Sequence, residues 1–81
     1  MTWKIKYCSS SNYKPQAERL SAEMNELGFN TTIEEGNTGQ FELYRLITVE
    51  NSDYWASYMT GGNRVPKVFT LRDVELKLSG L

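Results

Sequence analysis

A single thiol, Cys8, lies in the run Tyr7-Cys8-Ser9-Ser10-Ser11-Asn12-Tyr13-Lys14, and it is the only cysteine of the 81 residues. The thiolate, not the thiol, attacks disulfides, so the chemistry open to Cys8 depends on groups that stabilise negative charge on sulfur. Its surroundings offer such groups. A strand-like run precedes it and an amphipathic helix follows, so N–H groups from Ser10 to Asn12 can point at the sulfur and a helix N-terminus adds a modest favourable field. Three places further on, where a second cysteine would resolve a mixed disulfide, stands Ser11, whose hydroxyl can donate one more hydrogen bond. The expectation is a modest lowering of the Cys8 pKa. The expected chemistry is a mixed disulfide that only an external thiol can release. Ser11 is not itself a nucleophile, because the chain has no histidine to act as its base. One cysteine and no histidine also exclude a disulfide scaffold and a Cys/His zinc site, and no metal is expected. The competing reading makes Cys8 a small buried hydrophobe, the common fate of a free cysteine. Its place between strand and helix, beside three serines, favours the reactive thiol.

The elements that must position this thiol are legible in the hydrophobic spacing. Trp3, Ile5 and Tyr7 alternate with Lys4 and Lys6, the pattern of a strand with one better-buried face. Tyr13, Ala17, Leu20, Met24 and Leu27 then line one face of a helix. Gly28 follows as a left-handed C-cap, with Phe29 folding back on the last turn. Pro15 has no N–H and belongs in the first turn or at a kink. Two helix starts satisfy it. Either Ser11 or Asn12 caps the helix, which weakens the dipole's hold on the thiol, or the helix begins near Cys8 and bends at Pro15.

Phe29 to Ile33 reads as a second strand, and a strand–helix–strand unit of this length predicts a right-handed crossover with parallel pairing. Glu34 to Gly39 is a turn-rich loop, with Glu34 and Glu35 read as solvated. Phe41, Leu43, Ile47 and Val49 mark a third strand, Asn51-Ser52-Asp53 a turn, and Tyr54 to Met59 a fourth, aromatic strand. Tyr54, Trp55 and Tyr58 could form a ligand platform. As alternating strand residues they are more simply core on one side and surface on the other. Beyond Pro66, the residues Val68, Leu71, Val74, Leu78 and Leu81 fit a helical face. The sum is one α/β domain over residues 1–81, ordered β-α-β-β-β-α, with a four-stranded mixed sheet and two helices. A rival parse makes Tyr44 to Tyr58 a helix and Leu71 to Val74 a hairpin turn. It reads Val65-Pro66-Lys67-Val68-Phe69 as similar to the Val-Pro-x-x-Phe segment of glutaredoxins, with Pro66 cis.

The thiol run resembles the selenoprotein W-like (Rdx) family of thioredoxin-fold proteins, which carries Tyr-Cys-x-x-Cys-x-Tyr-Lys after a short strand. Tyr7, Cys8, Tyr13 and Lys14 match it, and Ser11 stands where the family has its second cysteine. Gly36-Asn37-Thr38-Gly39-Gln40-Phe41-Glu42-Leu43 resembles the family's Thr-Gly-x-Phe-Glu-Val segment. Gly61-Gly62-Asn63-Arg64-Val65-Pro66 resembles its Gly-Gly-x-Phe-Pro turn, with Val65 replacing the aromatic. The resemblance spans nearly the whole chain. It implies a thioredoxin-like fold and thiol–disulfide exchange with glutathione or protein thiols, centred on Cys8 with Ser11 at the resolving position. It also implies that Thr38, Gly39, Gln40 and Phe41 lie beside the thiol, where their backbone could bind glutathione or an extended peptide. The plain alternative for that segment is a glycine turn leading into a strand. No bound cofactor is expected, and glutathione is the implied co-substrate.

Composition narrows the partners. A net charge of −1 without blocks of like charge lacks the electrostatic footprint of a nucleic-acid binder. The apolar runs are far shorter than a membrane span, and the N-terminus lacks a signal-peptide core. A cytoplasmic monomer is therefore expected, with neither nucleic acid nor membrane as partner. The rival to a redox protein is an interaction module that keeps the fold without the activity.

Overall fold

The computed structural model describes residues 1–61 and 67–80. Gly62 to Pro66, with the isomer of the Val65–Pro66 bond, and Leu81 lie outside them. The described chain runs β1 (Thr2–Tyr7), α1 (Lys14–Glu26), β2 (Asn30–Glu35), β3 (Phe41–Val49), β4 (Ser52–Thr60) and α2 (Leu71–Leu78). The strands form one sheet in the order β2-β1-β3-β4. β1 pairs parallel to β2 and antiparallel to β3, and β3 pairs antiparallel to β4. This is the thioredoxin-like β-α-β-β-β-α arrangement with a mixed sheet and two helices that the spacing predicts. The rival parse is overturned, because residues 44–58 are two strands and their turn, and Leu71 opens a helix.

The core follows the period of β1. Trp3, Ile5 and Tyr7 are buried on one face, and Leu43 and Phe41 sit opposite Ile5 and Tyr7 on β3. Ala17, Leu20 and Met24 of α1, Val74 of α2 and Phe69 join the same cluster. Phe69 meets Phe41 edge-on at 4.8 Å between ring centroids, and Tyr58 meets Trp3 at 5.0 Å, geometries that suit the ring quadrupoles. Both helices bear on this face. The opposite face carries Lys4 and Lys6 with their cross-strand neighbours Tyr44 and Glu42, and no described element covers it. There the lysine stems shield aromatic surface, with the Lys4 ammonium 4.3 Å from the centre of the Trp55 ring. Tyr58 against the core and Trp55 on the open face bear out the two-sided reading of the aromatic strand.

Several boundaries differ from the sequence expectation, each for a local reason. α1 begins at Lys14, capped by neither Ser11 nor Asn12: its N-cap is Tyr13, without a side-chain cap bond, and Pro15 sits in the first turn. A start at Cys8 is prevented by Asn12, whose φ of 61° turns the chain out of the helical path. The end of α1 is as expected. Gly28 takes φ 92°, its N–H reaches the Asn25 carbonyl, and the Phe29 N–H reaches that of Met24, a Schellman motif. Leu27 is the exception, because as C-cap residue it leaves the buried stripe and is 53% exposed.

Glu34 and Glu35 belong to the end of β2 rather than a loop, where Glu34 lies 3.8 Å from Lys4 and 3.6 Å from Lys6. The second turn comes one residue early. Glu50 and Asn51, at φ 50° and 66°, form a two-residue hairpin loop of the type that matches strand twist. Val68 precedes α2, whose N-cap Thr70 shares a capping box with Asp73, and Leu78 is exposed. Among the described residues no helix is long and apolar enough to cross a membrane.

Two leucines that one helical stripe would treat alike separate these accounts. Leu20→Ala, at a site 2% exposed, should cost about 2–5 kcal/mol in a denaturant titration, the usual range for a buried leucine. Leu27→Ala should stay within about 0.5 kcal/mol, as surface substitutions do.

Candidate functional site

Cys8 is the first residue past the end of β1, and its backbone is tied on both sides. Its N–H donates to the Gln40 carbonyl at 2.8 Å, which continues the β1–β3 pairing by one bond. Its carbonyl accepts from Tyr13 N–H at 3.4 Å, closing the loop of residues 9–12 ahead of α1. The loop itself is a set of turns, with the Asn12 N–H bonded to the Ser9 carbonyl at 3.1 Å. The thiol is therefore positioned by a strand end and a short polar loop.

Around the sulfur the donors converge. Ser11 Oγ donates to Cys8 Sγ at 3.1 Å, and Ser10 Oγ lies at the same distance. The backbone of Gly39 supplies a third bond and that of Ser11 a weaker one. Hydrogen bonds of this kind favour the charged form, as donors to a thiolate do. The thiol pKa falls from 9.0 to about 6, led by Ser10, then Ser11, then Gly39, with partial desolvation opposing them. None of these donors belongs to α1, which starts six positions after Cys8. The helix dipole, which fades within the first turn, is thus not the main source of the shift.

The hydroxyl of Ser10 is the partner that sequence reasoning missed. Nothing in spacing alone tells which of three consecutive serines turns inward. Although Cys8 is only 2% exposed, it lies close beneath the surface, covered in part by the exposed Ser10 and Ser11.

Of the segment expected beside the thiol, Gly39 and Gln40 lie against Cys8, each in a different capacity. Gly39, at φ 76°, is in a conformation that favours glycine and presents its backbone to Cys8. Gln40 ties the turn together. Its carbonyl accepts from Cys8, its own N–H donates to the Asn37 carbonyl at 3.0 Å, and its side-chain oxygen accepts the Asn37 N–H at 2.8 Å. Its amide nitrogen donates at 3.2 Å to the Tyr44 hydroxyl, which in turn donates to Glu42 at 2.6 Å. That bond to the Glu42 carboxylate pushes the Tyr44 pKa up, with desolvation adding to it.

Phe41 is a core residue, 2% exposed, with its carbonyl taken by the Gly61 N–H. Thr38 is exposed and takes no part in lowering the thiol pKa. The backbone groups of Gln40 and the Phe41 carbonyl are thus bonded within the protein. Gly39, Gln40 and Phe41 line a cleft of about 110 Å3 whose other walls are Glu42, Thr60, Gly61 and Lys67. A larger groove, about 440 Å3 between α1 and α2, does not include the thiol. The smaller cleft shares Gly39 with the thiol's donors, and Cys8 itself lines neither. Among the described residues no three of His, Cys, Asp and Glu are grouped to hold a metal.

No family model, curated protein or solved structure matches this chain. The functional reading accordingly rests on the fold and on this geometry.

Three outcomes follow from the site. Ser10→Ala and Ser11→Ala should each raise the thiol pKa, and the double variant more, as read by thiolate absorbance across pH 5 to 10. Because the thiol pKa is lower folded than unfolded, the unfolded chain binds more protons between about 6 and 9.0. Stability should therefore rise with pH across that window and fall as the pH drops through the lower value. Denaturant titrations of Cys8→Ala should lose that slope. Separately, with Ser11 Oγ 3.1 Å from the sulfur, Ser11→Cys should close an intramolecular disulfide under mild oxidation. A variant that kept two free thiols would show that the loop cannot bring them to bonding distance.

Proposed function

We propose that this protein is a thioredoxin-like, selenoprotein W-related redox protein that works through one cysteine. The observation that carries the reading is the convergence of the Ser10 and Ser11 hydroxyls and the Gly39 backbone on Cys8 Sγ, with a thiol pKa of about 6. At neutral pH such a thiol is mostly thiolate, whereas an unperturbed cysteine is a few per cent ionised. The thiolate attacks the glutathione sulfur of a mixed disulfide between glutathione and another thiol. A Cys8–glutathione disulfide forms, and the other thiol leaves as thiolate and takes a proton from water. Ser11 cannot complete the cycle as a second cysteine would. A glutathione thiolate from solution instead attacks the glutathione sulfur of the mixed disulfide, releasing Cys8 as thiolate and leaving glutathione disulfide. The low pKa of Cys8 makes it a good leaving group in that second step. A group attached to Cys8 would lie toward the cleft lined by Gly39, Gln40 and Lys67, next to the Gly39 donor.

A second reading, a redox-inactive interaction module with the same fold, is favoured by one observation: Cys8 is only 2% exposed. In the redox reading, the exposed serine side chains must swing aside before the sulfur can be attacked.

Incubation of the folded protein with glutathione disulfide separates the two. The redox reading expects one glutathione per chain by mass spectrometry, at a rate that follows thiolate formation near pH 6. Modification only after denaturation would favour the interaction module.

A further inference from the structure

Among the described residues the sheet has two free edges, and they are guarded differently. β2, at one edge, ends in Glu34-Glu35, charges that oppose the addition of another strand. β4, at the other, is nine residues long and contains one charged residue, Asp53, with no lysine, arginine, proline or glycine. Its register shift against β3 falls between the pairs Leu43–Met59 and Tyr44–Ser57, so Tyr58 is the extra residue and the pairing from Ser52 to Ser57 is regular.

The direction of the free backbone groups follows from the hairpin. A two-residue loop closes on a hydrogen-bonded pair, here Val49 with Ser52. Alternation makes Ile47–Tyr54 and Arg45–Ala56 hydrogen-bonded pairs as well. The N–H and C=O groups of Asp53, Trp55 and Ser57 then point away from β3, into the unpaired edge.

These three residues are symmetric about Trp55. In an antiparallel pairing of β4 with a second β4, a two-fold axis at Trp55 sets Trp55 opposite its own copy and Asp53 opposite Ser57. It is the one two-fold register in which all three residues are paired with one another. Axes at Tyr54 or Ala56 engage only two of them, and an axis at Asp53 opposes two carboxylates. An axis at Ser57 runs into the extra residue at Tyr58. In the Trp55 register each Asp53 carboxylate faces a Ser57 hydroxyl, and the two indoles meet on the open face of the sheet.

We propose that β4 is a dimerisation edge, and that a second copy of this chain pairs with it antiparallel through a two-fold axis at Trp55. The sheet then continues from one protomer into the other. A second copy is compatible with this edge because β4's one charge, Asp53, then meets a hydroxyl and not another carboxylate. This departs from the monomer expected from sequence, because strand periodicity does not tell which strand lies at an edge.

Sedimentation velocity over a concentration series of the full chain tests the proposal. The wild-type protein should show a reversible monomer–dimer equilibrium. Ser57→Lys, which places an ammonium opposite the copy's Asp53, should tighten the dimer several-fold. Ser57→Glu, which opposes like charges, should weaken it by a similar factor. Trp55→Lys should leave only monomer while far-ultraviolet circular dichroism stays unchanged. Opposite responses to two charges at one exposed position cannot come from misfolding. A wild-type chain that stays at 9.3 kDa up to its solubility limit, or a dimer indifferent to the Ser57 charge, would overturn the proposal.

Discussion

The register of β1 is the constraint on which the rest of this structure depends. β1 is paired on both sides, parallel to β2 and antiparallel to β3, and its buried face carries the residues on which both helices rest. Because side chains alternate, a slip of one residue would turn Lys4 and Lys6 into the core and Trp3, Ile5 and Tyr7 out of it. Burying two ammonium groups is far more costly than any local preference could offset. The same register decides where β1 stops. With Tyr7 opposite Phe41, the next residue is Cys8, and the Gln40 carbonyl is in place to accept its N–H. The position of the thiol is thus inherited from the packing of the core.

What makes that thiol reactive is a second, local layer. Two hydroxyls and two backbone groups hold the sulfur, and each is small enough to approach without excluding the others. The arrangement also depends on the opposite side of the sheet. The turn that brings Gly39 to the sulfur is held by Gln40, and the Gln40 side chain is anchored on Tyr44 and Glu42 of the open face. The lysines of β1 border that anchor, with the Lys6 ammonium 5.3 Å from the centre of the Tyr44 ring. Changes on the uncovered face therefore have a physical route to the thiol, through hydrogen bonds alone.

Among the described residues no element lies over the open face or along the free edge of β4. Two helices of 13 and 8 residues cover one side of a four-stranded sheet and leave the other to its own side chains. On that side Lys4 lies over Trp55, and Glu34 is shared between Lys4 and Lys6. Half-exposed ion pairs at these distances add little stability. Their effect is to cover aromatic surface with charge, which keeps the face compatible with water.

Much of this architecture was legible in the amino-acid sequence, and for identifiable reasons. Alternation at Trp3, Ile5 and Tyr7, helical spacing from Ala17 to Met24, and glycine after Leu27 are local signals read over a few residues, and each element they predict is present. The position of Cys8 between strand and helix was legible in the same way. Local signals failed where an alternative of similar local energy was decided elsewhere. The start of α1 turned on the left-handed backbone of Asn12, and the hairpin turn on the pairing of Val49 with Ser52. Phe41 reads equally as a binding residue or a core residue until Tyr13 and Phe69 close over it. The thiol itself shows the division most clearly. That Cys8 would carry donors nearby was determined by the serines of its own loop. That Ser10 and Ser11 turn toward the sulfur, and that Gly39 arrives from another loop to join them, was decided only when β1 and β3 paired, because a hydrogen bond depends on direction and distance that residue order does not contain.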